Sequence, residues 1–153
     1  MKTNKLTNLC LGLSMTLLAV SCGPTGETKS YNEGINIIPM PQSLTIQDGT
    51  FRINNSTSIS AKTSEAKTVA EYFAMKMRRS TGYDIPVGES GNIKLNIDPS
   101  MEINAEGYKL SVTGSEVNIE AKTTQGLFYG LQSFMQLLPA EIESPEKVNG
   151  IAW

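Results

Sequence analysis

The sequence predicts an α+β domain, a mainly antiparallel sheet with two helices packed on one face. Three observations carry this. Ile93-Lys94-Leu95-Asn96-Ile97, Tyr108 to Val112 and Val117 to Ala121 each alternate apolar and polar residues, the period of a strand with one buried face. Thr63 to Ser80 repeats apolar residues at spacings of three and four, the period of an amphipathic helix. Thr124 to Leu138 does the same and runs into Pro139, which forces an end. An alternating sheet has one apolar face to cover, and a pair of helices covers it.

The first 21 residues read as an export signal. Lys2 and Lys5 form a basic start, Leu9 to Val20 an apolar stretch, and Ser21 a small residue ahead of Cys22. That stretch is too short to span about 30 Å of hydrocarbon as a permanent helix. Ala19-Val20-Ser21-Cys22-Gly23 resembles a bacterial lipobox, which makes Cys22 the expected lipidation site, although the Leu usual at the position of Ala19 is missing. The alternative is an ordinary secreted protein with an incidental cysteine. Cleavage removes Cys10 and leaves Cys22 without an intrachain disulfide partner. The resulting expectation is a protein of the bacterial cell envelope, lipid-anchored at the outer membrane or in the periplasm.

Losing Lys2 and Lys5 moves the formal charge from −2 to −4, and no Lys/Arg run appears elsewhere. Such a surface does not attract phosphate backbones, so nucleic acid is excluded as an expected partner. Residues 22–36 are polar and lack apolar periodicity, as expected of a flexible tether. The 132 residues left after removal of residues 1–21 suffice for one domain, with its body at 37–153, but not for that domain and a large barrel as well.

Within that body, Ile37-Ile38-Pro39-Met40-Pro41 is expected to be extended, because two prolines remove amide donors and fix φ. Leu44-Thr45-Ile46 and Phe51-Arg52-Ile53 alternate around Asp48-Gly49, which reads as a hairpin. Thr57 to Ser60 reads as a short strand. Thr63 is the expected N-cap of the first helix, with Glu65 in its positive first turn and Lys76, Arg78 and Arg79 near its negative end before Gly82. Gly126 and Gly130, four apart on the second helix, permit close backbone approach to the sheet. The summed order is three short strands, helix, three strands, helix.

The sequence holds no histidine, which removes imidazole triads, His-based zinc sites and the commonest general base. Asp84, Asp98, Glu102 and Glu106 lie beside turn formers, and none forms a pair at a recognisable catalytic spacing. Glu141, Glu143 and Glu146 are expected to be solvated. Gly88-Glu89-Ser90-Gly91 lacks the Lys and the helix of a phosphate cradle and reads as a loop between strands. Tyr31, Tyr83 and Trp153 are the aromatics open to stacking on sugar rings. No catalytic residue, cofactor or metal ligand is assigned.

Three segments carry a family resemblance: Ile37 to Pro41 with Gly49-Thr50-Phe51, then Gly107 to Val112, and above all Gly126-Leu127-Phe128-Tyr129-Gly130-Leu131-Gln132-Ser133-Phe134-Met135-Gln136-Leu137-Leu138. Together they resemble the amino-terminal domain of glycoside hydrolase family 20, the β-N-acetylhexosaminidases, over residues 37–153. The resemblance implies a zincin-like sheet with two helices on one face, carrying no zinc. It implies a retaining, substrate-assisted hydrolysis of terminal N-acetylhexosamine, with an Asp-Glu pair after His-x-Gly-Gly on a following (β/α)8 barrel. Nothing in these 153 residues matches that pair. The expectation is a fragment or truncated product of a longer enzyme, whose partners are the missing barrel, glycans reached through that barrel, and the membrane. Gly126 and Tyr129 carry over as packing positions. The alternatives are a self-standing envelope lipoprotein that binds glycans or a partner protein, and the front domain of another glycoside hydrolase.

Overall fold

The computed structural model describes residues 35–46 and 48–153; the signal, Cys22, most of the tether and Tyr31 lie outside them. The described elements run β1 (Ile59–Ala61), α1 (Ser64–Thr81), β2 (Val87–Gly88), β3 (Ile93–Ile97), β4 (Tyr108–Val112), β5 (Val117–Ala121), α2 (Thr124–Met135), and a 3-10 turn at Ala140–Glu143. The five strands form one sheet in the order β2-β1-β3-β5-β4.

The α+β class and the two helices on one sheet face agree with the sequence reading. The strand directions do not. Pairs β1–β2, β1–β3 and β3–β5 are parallel, and only β4–β5 is antiparallel. Alternation fixes which side chains share a face and carries no information on which way a neighbouring strand runs. Here the helical crossover through α1 returns the chain parallel to β1, whereas the short turn after Val112 reverses β4 onto β5.

Register converts that alternation into rows. Ile59, Ile93, Val117 and Val112 align across four strands, Ala61, Leu95, Ile119 and Leu110 form a second row, and Ile97, Ala121 and Tyr108 a third. Both helices cover this face. Val69, Ala70, Phe73 and Met77 of α1 and Leu127, Leu131 and Phe134 of α2 join the strand residues in one core. Phe73 meets Phe134 edge-on at 5.6 Å and ties the helices together.

The ends of α1 follow the sequence signals. Thr63 Oγ1 accepts from the Ala66 amide at 3.2 Å, and Gly82 takes φ 72° while its amide donates to the Arg78 carbonyl at 3.0 Å. The second helix is shorter than its periodicity implies. After Met135 the bonds tighten to Leu137 N→Phe134 O and Leu138 N→Met135 O, because the ring of Pro139 disfavours helical backbone just before it.

Two further differences concern short segments. Among the described residues no strand forms over Leu44–Ile46 or Phe51–Ile53, so the expected hairpin is absent there. Phe51 and Ile53 turn to the body instead, and the Ile53 amide donates to the Trp153 carbonyl at 2.9 Å, a partner one hundred residues away that local alternation does not announce. The loop read at Gly88–Gly91 begins with strand β2, whose two residues are too few to show a period.

Candidate functional site

Because β2 and β3 both run parallel to β1 and flank it, the four residues between them must cross β1. Ser60 Oγ donates to the Glu89 carbonyl at 2.9 Å, which places the crossing on the polar side of the sheet. Gly91 makes the crossing possible: a Cβ there would lie 2.6 Å from the Ser58 carbonyl oxygen and 2.7 Å from the Ser60 amide nitrogen. The result is an open depression of about 400 Å³ lined by Ser60, Lys62, Glu89, Ser90, Gly91, Lys94 and Asn96.

Its chemistry is that of hydrogen bonding. Lys94 Nζ is engaged by Glu116 at 2.6 Å, and Asn96 Nδ2 donates to Asn118 Oδ1 at 3.0 Å. Glu89 is the one carboxylate in the lining, so no pair of carboxylates faces across the depression to divide acid and base work. Among the described residues no group of three His, Cys, Asp or Glu side chains is placed to hold a metal ion.

The acidic residues considered from sequence are scattered. Asp84, Asp98, Glu102, Glu106, Glu143 and Glu146 are exposed. Asp98 accepts from Ser100 Oγ at 2.5 Å and from the Ser100 amide at 2.9 Å, and those bonds hold its carboxyl below the usual aspartate range. Glu143 pairs with Lys76, whose ammonium is thereby pushed above its ordinary value. Glu65 is lowered by its own backbone amide and by Ser64, as a first-turn acid should be. Asp98, Glu143 and Glu65 thus each answer to a local structural partner, while Glu141, expected to be solvated, is half-buried beside the buried Ile142. The aromatics fare similarly: Tyr83 packs half-buried at the core margin, and Trp153 is 7% exposed, too enclosed to stack on a sugar.

The glycines of α2 sit where close approach requires them. A Cβ on Gly126 would collide with the Gly107 carbonyl oxygen, and one on Gly130 would meet Ile119 Cγ2 at 2.6 Å and the Tyr108 ring at 3.1 Å. Tyr108 reaches past that gap to share a 2.5 Å hydrogen bond with Ser133. Tyr129 departs from the packing role carried over to it, because it stands 43% exposed on the outer side of α2.

A sheet sealed on one face by two helices, the second brought close by its glycines, defines an α+β domain. The chain belongs to glycosyl hydrolase family 20: the model of that family's domain 2 matches residues 34–152. It is 37% identical over 145 residues to the β-hexosaminidase of Porphyromonas gingivalis, which covers 91% of this chain and 19% of that protein. The N-acetyl-β-hexosaminidase of Streptomyces plicatus, solved with Thio-NAglucal, superposes with a TM-score of 0.71 at 34% identity over 76% of this chain and 24% of its own. The family 20 exo-β-N-acetylglucosaminidase of Vibrio harveyi, at 22% identity and a TM-score of 0.58, shares the fold. The chain thus spans 16–24% of the length of these relatives.

Proposed function

We propose that the chain serves as the non-catalytic front domain of a lipid-anchored β-N-acetylhexosaminidase of the cell envelope, which removes terminal N-acetylhexosamine from glycans. The observation that carries this reading is the match of one accessory domain, residues 34–152, to a family whose solved members are several times longer. Bond cleavage then belongs to the (β/α)8 barrel that follows this domain in the family, and the present residues hold that barrel and set its distance from the membrane. Lipid on Cys22 tethers the assembly through residues 23–36.

The test uses a nitrophenyl N-acetylglucosaminide. The protein encoded by the whole reading frame should release nitrophenol, and residues 22–153 alone should release none. A whole protein that leaves the substrate intact removes the assignment, and cleavage by the short chain removes the division of labour. Incorporation of labelled palmitate, lost in Cys22→Ser, tests the anchor separately.

A further inference from the structure

Among the described residues seven large hydrophobic side chains stand exposed, and five of them, Ile35, Ile38, Met40, Leu44 and Ile46, fall within one stretch of twelve residues. That stretch, INIIPMPQSLTI, holds no charged side chain. Single exposed apolar residues are ordinary on a protein surface, whereas a run of them marks a place where something apolar is met.

The fold presents these side chains outward by fixing the backbone beneath them. Ile37 turns inward, 8% exposed, and pins the stretch to the body. Just past the end of α2, Gln136 grips the next residue: its Oε1 accepts from the Ile38 amide at 2.8 Å and its Nε2 donates to the Ile38 carbonyl at 3.0 Å. Ile38, Met40 and Ile46 are left 80%, 87% and 69% exposed. Ile38 therefore has both backbone groups bonded, and Pro39 and Pro41 have no amide hydrogen to satisfy. A backbone so short of free donors loses little on leaving water, and its apolar side chains gain by it.

What lies nearest along the chain decides the occupant. Ile35 follows Cys22, the expected lipidation site, by thirteen positions. At about 3.3–3.6 Å per residue that connection reaches at most about 45 Å. A lipid surface held so close meets the stretch at an effective concentration of order millimolar. A second copy of the chain has no such help and needs about 20–30 residues a side, more than this stretch supplies. Among the described residues no helix is long and apolar enough to cross a membrane, so the contact open to them is with its surface.

We infer that Ile38, Met40, Leu44 and Ile46 rest on the lipid surface to which Cys22 is anchored, with their side chains in the headgroup layer. This rests on the lipid anchor given under Proposed function. The anchor supplies the affinity, and the neutral stretch fixes which edge of the domain faces the membrane. Because the stretch carries no charge, the contact is indifferent to salt and needs no anionic lipid.

Photo-crosslinking of the full-length lipidated protein in phosphatidylcholine vesicles tests the contact. Benzoylphenylalanine installed at Met40 or Ile46 should give phospholipid adducts, read by mass spectrometry, at least about tenfold above the same group at Lys67 on α1, and high salt should leave them unchanged. The full-length Cys22→Ser protein should lose them. Crosslinks from positions 40 and 46 to the catalytic domain, or to a second copy, overturn the inference, because protein then covers the stretch. Flotation of the same sample with the vesicles separates the two readings: flotation without lipid adducts removes the surface contact alone, and a full-length protein that does not float removes the anchor and the contact with it.

Discussion

Replacing Gly126 by Ala should destabilise the domain, against the ordinary preference of a helix. In an open helix interior the change gains about 1 kcal/mol, since glycine is that much the poorer helix former. At Gly126 the new methyl group collides with the Gly107 carbonyl oxygen and lies 3.2 Å from both the Ala105 carbonyl oxygen and Ala121 Cβ. Two of these neighbours are backbone, and they are fixed. The Gly107 amide donates to the Asn104 carbonyl at 3.0 Å, and Thr123 Oγ1 donates to the Ala105 carbonyl at 2.5 Å. No side chain can rotate aside, so the first turn of α2 must slide outward and strain the Thr123 bond. Overpacking of this kind costs about 1–3 kcal/mol, and a rigid backbone obstacle belongs in the upper part of that range. Setting the helix gain against it leaves a loss of about 1–2 kcal/mol. For a domain of this size that lowers the melting temperature by about 4–8 °C. Urea and thermal unfolding followed by circular dichroism measure it. Gly88→Ala is the control: nothing lies within 4 Å of its added Cβ, so it should be neutral or slightly stabilising. A Gly126→Ala protein as stable as its parent, or more so, refutes the reasoning.

Thr123 accepts from the Gly126 amide at 3.2 Å as the N-cap of α2 while donating to Ala105, so Thr123→Ala should cost about 1–3 kcal/mol by denaturant unfolding and Thr123→Ser much less. Full stability of the Ala variant would show that neither bond contributes. The carboxyl of Asp98, lowered chiefly by the Ser100 hydroxyl, contributes stability that is present above the ordinary aspartate value of about 4 and is lost as pH falls through the lowered folded value. Nuclear magnetic resonance titration of Asp98 should show its midpoint rising in Ser100→Ala, and an unmoved midpoint would sink that assignment of cause.

Much of this fold can be read directly from residue order. In β3, Ile93, Leu95 and Ile97 alternate with Lys94 and Asn96, so the two faces differ in chemistry and the strand declares itself. Thr63 and Gly82 mark the ends of α1 because a cap and a left-handed C-terminal residue are local requirements. Strand direction is not local, which is why three parallel pairings lay hidden behind a correct set of faces. The polar depression was equally hidden: Ser60, Gly91 and Lys94 become neighbours only when the chain crosses β1, and the sole trace in the sequence is the pair Gly88 and Gly91. Tyr129 was legible as a position of interest, but a packing role and an outward role leave the same mark on a helical repeat.

The chemistry of α2 links the fold to the proposed role. Its inner side needs glycines at 126 and 130 to reach the sheet, and its outer side carries half-buried Phe128 and exposed Tyr129 with no charge among them. On the proposed reading, substrate binds elsewhere, so a change at Gly126 should leave KM untouched in the cold and lower the temperature at which activity is lost. Heat lability without altered substrate affinity would separate a supporting domain from one that touches the sugar.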